Sequence, residues 1–204
     1  MQPLTCFPSP LTALYTLRPV LFLDRDGVLN ENRADYVRTW EQVEFLPGVF
    51  EALRALAASS VAVVVVTNQS AVGRGLMTVD TLAAIHHRMA AAISAAGGRV
   101  DAFYACPHAP AAHCTCRKPR PGMLLQAAAD LNLDLSRSWL VGDAVSDIEA
   151  AVAAGSVPLL VLTGRGARQQ AGLLSAGLAH VPVLPDLAAA VRWMLGRTDR
   201  LAEF

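Results

Sequence analysis

Val20-Leu21-Phe22-Leu23-Asp24-Arg25-Asp26-Gly27-Val28-Leu29-Asn30 is a short apolar run that stops at two carboxylates one residue apart and then at a glycine. Such a run reads as a buried strand, and the glycine lets the chain turn sharply out of it. In open α/β sheets ligands bind just beyond the carboxyl ends of the strands, which makes this a place for reactive acids. Two carboxylates this close repel, and they become tolerable when a cation sits between them or one keeps its proton. The first, ionised and metal-bound, can be a nucleophile; the second can deliver a proton to a leaving oxygen and later take one from water. A strand end closed by an ordinary Asp-Gly turn fits the same residues. The rest of the chain has to decide between them.

At 204 residues the chain suits one α/β domain with a full core. Hydrophobic content of 53% against 17% charged residues argues for a globule rather than disorder. Lys plus Arg and Asp plus Glu are 17 each, so no net field recruits nucleic acid or a membrane surface, and a small diffusible ligand is expected. No apolar run reaches the roughly 18 residues a bilayer span needs. Residues 1–18 carry prolines and no basic n-region before an apolar core, so an irregular N-terminal extension is expected rather than a signal peptide. Cys6 lies alone there, while Cys106, Cys114 and Cys116 are bunched. That grouping suits reduced thiols and a metal in a cytoplasmic protein better than a disulfide framework.

Working outward, Asn30 to Glu44 is a polar loop with Tyr36 and Trp40, and Leu46-Pro47-Gly48 opens a helix to about Ser59. Val61 to Val66, continuous and β-branched, reads as a central parallel strand ending in Thr67-Asn68-Gln69-Ser70. Thr78 caps a helix to about Ala96, and Asp101 to Ala105 is a strand leading into a Cys/His loop. A helix over 122–131, a strand from Ser138 to Val141, a helix beginning near Asp147 and a strand from Val157 to Leu162 follow. Beyond Gly166 only a short strand near 180–184 and a helix over 187–195 are expected. The alternation predicts an α/β fold: a three-layer Rossmann-like parallel sheet with helices on both faces. Its carboxyl edge would gather Asp24 and Asp26, Thr67 and Asn68, Lys118, and Asp143 with Asp147.

These groups are complementary. A carboxylate attacking a phosphoryl group must overcome repulsion from its oxygens, so it needs a divalent cation, a fixed ammonium and hydroxyl or amide donors. Magnesium takes hard oxygen ligands, for which two carboxylates and a carbonyl suffice; Lys118 supplies the ammonium and Thr67 the hydroxyl. Asp24-x-Asp26-Gly27, Thr67 after an apolar strand, Lys118 and Gly142-Asp143-x-x-x-Asp147 resemble, in order, the four motifs of haloacid dehalogenase-like phosphatases, over about residues 19–155. The resemblance implies that Asp24 forms an aspartyl-phosphate and Asp26 is the general acid/base. It also implies that Asp24, the Asp26 carbonyl and Asp143 bind a catalytic Mg2+, and that Thr67 and Lys118 steady the phosphoryl group.

Asp24-Arg25-Asp26-Gly27-Val28-Leu29-Asn30, Thr67 through Gly75, and Cys106-Pro107-His108 through Cys116-Arg117-Lys118-Pro119 are similar to the bacterial D,D-heptose 1,7-bisphosphate phosphatases. Histidinol-phosphate phosphatases are close relatives. Gly73-Arg74-Gly75 favours the heptose enzymes, and the short interval from His108 to Cys114 resembles the histidinol enzymes. The substrate expected first is the C7 phosphate of the heptose bisphosphate, with histidinol phosphate second and a broader phosphatase third. A catalytically inactive zinc-stabilised binding module is the competing class, against which the intact motif set argues. Two departures stand out: Ala144 replaces a Lys usual in the heptose enzymes, and the loop Asn30 to Val37 is one residue longer.

Cys-x-His-x5-Cys-x-Cys at 106–116 offers three thiolates and an imidazole, a closed tetrahedral set for structural Zn2+ from Cys106, His108, Cys114 and Cys116. An unmetallated or disulfide-bonded loop is the alternative, and His113 is a possible substitute ligand that the family pattern disfavours. The loop adjoins Arg117, suited to bidentate recognition of phosphate or hydroxyls. Substrate contacts are expected from Asn68, Gln69, Ser70, Arg74 and Arg117; Arg165 ranks lower. His86 and His87 are read as helix packing or solvent-facing residues, and Tyr36 and Trp40 as packing or pocket walls. The intervals in which this superfamily inserts a cap are short, so residues 19–204 are expected to form a single capless, monomeric domain.

Overall fold

β1 (Arg18–Leu23) lies between β2 (Ala62–Asn68) and β4 (Leu133–Gly142), pairing in parallel with both. β3 (Ala102–Cys106) flanks β2, while β5 (Val157–Val161) and β6 (Val183–Leu184) extend the other side, giving the order β3-β2-β1-β4-β5-β6. The chain therefore winds outward from β1 in one direction and then returns to wind in the other. The reversal opens a crevice beyond the carboxyl ends of β1 and β4, where Asp24 and Asp143 lie. The computed structural model describes residues 17–201, with side chains through residue 197. The expected N-terminal extension, with Cys6, falls largely outside the described residues.

Strand periodicity sorts the core. Leu21, Leu23, Val63, Val65 and Val141 face α1 (Val49–Ala57), α3 (Val79–Ala95) and α7 (Leu187–Leu201), packing with Leu53, Leu56, Ile85, Met89 and Met194. Val20, Phe22, Val64, Val66 and Leu140 face α4 (Gly122–Leu131), with Met123 and Leu124, and α5 (Val145–Ala154). Burial on both faces is why these strands read as unbroken apolar runs. Thr78 caps α3, its Oγ1 accepting from the Thr81 amide at 3.0 Å.

Three features depart from the sequence reading. A short helix, α2 (Ser70–Gly73), follows β2. β4 begins at Leu133, because the chain entering β1 pairs with it across a register shift between Pro19 and Leu21. α6 (Gly166–Ser175) was not expected: Gly172 and paired glutamines dilute its periodicity, and only Gly166 and Leu173 are buried. Leu173 seats it on Ile148 and Leu160.

Between β1 and β2 the chain makes only α1 and a loop with one 3-10 turn, and between β2 and β3 only α2 and α3, so no cap is inserted. The first loop is closed at its base by main-chain bonds from Glu31 to Glu44 and from Leu46 to Leu29, which holds residues 32–37 over the sheet edge. Among the described residues no helix is long and apolar enough to cross a membrane.

Candidate active site

Asp24 leaves β1 still in register, its amide donating to Val141 O at 2.9 Å. Lys118 reaches it from the segment between the Cys/His loop and α4. Its Nζ lies 2.9 Å from Asp24 Oδ1 and 2.6 Å from Asp147 Oδ1, and donates to Val66 O at 2.8 Å. Asn68 fixes the Lys118 main chain from both sides: its Oδ1 accepts from the Lys118 amide and its Nδ2 donates to the Lys118 carbonyl, each at 3.1 Å. Asp147, in the first turn of α5, accepts from the Ala144 amide at 3.0 Å through Oδ2. Residue 142 must be glycine, since a Cβ there would enter the Asp147 side chain. Gly27, at φ +90°, is similarly obligatory because a Cβ would run into the Asp143 carboxylate.

Asp24, Asp143 and Asp147 are all buried, and three carboxylates face two cations, Lys118 and Arg165. Burial pushes Asp24 up to about 7, partly opposed by Lys118 and reinforced by Asp147, Asp143 and Asp26. Lys118 is shifted up, because Asp147 and Asp24 outweigh the burial that would lower it. Asp26 moves the other way. Burial would raise it, but the Arg25 guanidinium and hydrogen bonds from Asn30 and Gln69 hold its carboxyl below the usual range.

One oxygen from each of Asp24, Asp143 and Asp147 lies within 4.8 Å of the others, a set of hard donors that suits Mg2+. Both Asp147 oxygens serve the buried Lys118 and the Ala144 amide, whereas the guanidinium on Asp143 belongs to the half-exposed Arg165, so an ion displaces a partner from Asp143 more readily than from Asp147. On Asp24 the bonds from Lys118 and from the Arg25 amide (2.8 Å) both fall on Oδ1, leaving Oδ2 as the oxygen available to attack. The Asp26 side chain points elsewhere, to Arg25, Asn30 and Gln69, so any share it takes in metal binding belongs to its carbonyl.

Cys106, His108, Cys114 and Cys116 form a second cluster. The sulfur separations are 3.3 to 3.5 Å, and His108 Nδ1 lies 3.6 Å from Cys106 Sγ and 3.3 Å from Cys116 Sγ. A tetrahedron with Zn–S bonds of about 2.3 Å has edges of about 3.8 Å, so the sulfurs need to spread by only a few tenths of an ångström to reach zinc geometry. All three thiols are free, and the ring of His108, not His113, completes the set. The loop is braced by the adjoining turns: the Gly73 amide donates to Pro107 O at 2.8 Å, and a Cβ on Gly122 would strike Thr115 O.

A cavity of about 500 Å3 joins these parts, lined by Asp24, Asp26, Thr67, Asn68, Ser70, Lys118 and Asp147. Arg33, Arg74, Arg117 and Arg165 ring it, with Asn32 and Tyr36 from the first loop. Ser70, Arg74 and Arg117 thus stand where substrate contacts were expected. Gln69 does not: it is buried, and its Nε2 donates to Asp26 Oδ2 at 2.8 Å and Thr67 Oγ1 at 2.9 Å, making it a support for both. Trp40 instead lies under the Arg88 guanidinium at 5.7 Å. Arg165, ranked low from the sequence, lies on the cavity wall against Asp143; Arg25, not singled out there, pairs with Asp26; and His86, read as packing or solvent-facing, is buried against Phe103. The only available signal was an Arg placed between two acids at a strand end.

The HAD-hydrolase-like family model matches residues 115–190. A Pseudomonas putida protein named D-glycero-beta-D-manno-heptose-1,7-bisphosphate 7-phosphatase is 40% identical over 177 residues, 86% of this chain and 99% of the relative. A Bordetella bronchiseptica protein of the same name is 41% identical over 86% of this chain and 97% of its own length. The crystal structure of D,D-heptose 1,7-bisphosphate phosphatase from B. bronchiseptica, complexed with magnesium and phosphate, superposes with a TM-score of 0.81 at 40% identity, covering 88% of this chain and 99% of that one.

Proposed function

This chain belongs to the D-glycero-D-manno-heptose-1,7-bisphosphate 7-phosphatase family of HAD-like hydrolases, and from that premise we propose that it is a magnesium-dependent phosphatase removing the C7 phosphate of D-glycero-D-manno-heptose 1,7-bisphosphate. The observation that carries the reading is a carboxylate with one oxygen paired to a buried lysine and the other uncommitted, at the floor of a cavity ringed by arginines.

Asp24 Oδ2 attacks phosphorus, and the bond from phosphorus to the C7 oxygen breaks as Asp26 gives that oxygen its proton. Water then attacks the aspartyl-phosphate while Asp26 accepts its proton, releasing phosphate and restoring Asp24. The ionised Asp26 favoured by Arg25 suits the second step. For the first, the negative charge of the arriving phosphoryl group opposes Arg25 and raises the proton affinity of Asp26. The Thr67 hydroxyl steadies the phosphoryl oxygens, and Lys118, whose three donors serve Asp24, Asp147 and the Val66 carbonyl, steadies them through its charge. Asp24, Asp143 and the Asp26 carbonyl would hold Mg2+, which would supply charge neutralisation to the transferring phosphoryl group. Ser70, Arg74 and Arg117 bind the sugar and its second phosphate, with Asn68 fixing Lys118 and Gln69 fixing Asp26. Zn2+ on the four-residue cluster is structural. Residues 19–204 act as one capless domain, monomeric and cytoplasmic, on a small sugar phosphate rather than on nucleic acid or a membrane.

Turnover of the heptose bisphosphate and of histidinol phosphate with magnesium tests the assignment. Release of one phosphate from the bisphosphate is expected, and activity confined to histidinol phosphate overturns the substrate. Asp24→Asn should keep the fold and lose turnover by several orders of magnitude; undiminished activity refutes the nucleophile.

A further inference from the structure

Arg25 has a fully buried side chain that turns back onto its own neighbour. Its Nε donates to Asp26 Oδ1 at 3.1 Å and its Nη2 to both Asp26 oxygens at 2.9 Å. Asn30 Nδ2 adds a bond to Oδ1 at 2.9 Å, so Oδ1 is crowded while Oδ2 takes only Gln69 and a share of Nη2. Oδ2 is therefore the oxygen freer to exchange a proton. The grip fixes the plane of the carboxylate, which would otherwise rotate freely about its last bond.

The other arm of the guanidinium is not idle. Arg25 Nη1 lies 3.4 Å from His86 Nε2 on α3, and the His86 ring stacks on Phe103 of β3 with centroids 4.6 Å apart and planes at 19°. A guanidinium only donates, so His86 must accept at Nε2, which requires a neutral ring protonated on Nδ1. Burial, then the adjacent Arg25, pushes His86 down to about 3, consistent with that form. An apolar side chain would fill the space as well but would leave Nη1 buried without an acceptor. The chain from the half-buried Phe103 through His86 and Arg25 to Asp26 thus runs from the edge strand β3 to the cavity wall.

We propose that His86 and Arg25 are positioning residues that hold the Asp26 carboxylate in line for proton transfer, His86 acting through Arg25 without touching substrate. This rests on the acid/base role given to Asp26 above.

Two variants separate positioning from packing. His86→Phe keeps the ring and its stacking but removes the acceptor, whereas His86→Gln places an amide oxygen near the position of Nε2. His86→Phe should lower kcat about 10- to 100-fold with KM within about twofold, and His86→Gln should recover to within about threefold of wild type. In spectra of 15N-labelled histidine, His86 should be the neutral Nδ1-protonated tautomer at pH 7, a measurement that needs no variant to fold. Wild-type kcat in His86→Phe, equal loss in both variants, or an imidazolium at pH 7 overturns the proposal. Running the kinetics on p-nitrophenyl phosphate as well as the bisphosphate keeps the two readings apart. A wild type active only on the chromogenic ester fails the substrate assignment, while the contrast between variants is still read on that ester.

Discussion

The guanidinium of Arg165 lies across the carboxylate of Asp143, with Nη2 3.0 Å from Oδ1 and Nε 3.3 Å from Oδ2, while the Arg165 main-chain amide donates to Oδ2 at 2.8 Å. Asp143 is fully buried, whereas the Arg165 side chain is 53% exposed. Any cation taking Asp143 as a ligand has to compete with this arm. Arg165→Gln keeps the main-chain bond and removes the competitor, so magnesium should bind about threefold to tenfold more tightly, the modest range reflecting solvent screening. Calorimetric titration with magnesium checks it; equal or weaker binding would mean that the guanidinium does not contest the site.

Lys118 is the only cation paired with Asp24 and Asp147 among the described contacts, and all three side chains are almost fully buried. Lys118→Met would leave two buried carboxylates facing each other. The expected cost is roughly 3–5 kcal/mol of stability, since breaking a buried pair strands its partner charge. Magnesium should restore part of it. Chemical denaturation with and without magnesium measures both effects, and a variant as stable as wild type without the ion would contradict the ion-pair account.

Cys114→Ser combined with Cys116→Ser should abolish zinc content and lower the melting temperature, because metal affinity here is folding free energy. The Pro107 carbonyl holds the Gly73 amide next to Arg74, and Arg117 directly follows the loop. Surviving activity should therefore show a raised KM more than a lowered kcat. Metal analysis and melting curves before and after chelation test this; identical curves would show that the loop stands without an ion.

His86 gives a pH signature to stability. Its folded value of about 3 lies below its ordinary value of 6.5, so the unfolded chain binds the extra proton first. The contribution is complete above about pH 6.5 and is lost as pH falls towards 3. The charged groups acting on the ring are Arg25, which disfavours the proton, and Asp26, which favours it, with His87 next to it along α3. His86→Gln should flatten the decline of stability between pH 6.5 and 4, measured by urea titration; an unchanged slope would assign it to other groups.

The central strands, the helices that open at Gly48 and Thr78, and the four clusters at the sheet edge were legible because each is a local pattern: an apolar run, a cap, then a polar terminus. The Cys/His cluster was legible for the same reason, being confined to residues 106–116. α6 was not, because its helicity comes from docking Leu173 on the outer face of α5 and β5 rather than from its own periodicity.

What the sequence by itself determined is which residues stand at the carboxyl ends of parallel strands, since hydrophobic runs set the strands and parallel winding sets the edge. Which way each side chain turns there was decided only by the tertiary structure. Gln69 turned inward to Asp26 across 43 residues, His86 came under Arg25 across 61, and Arg165 closed on Asp143 across 22. Those pairings have no local signature: a buried donor takes whichever acceptor packing brings within reach, and that neighbour is defined only once the sheet and its helices have closed around it.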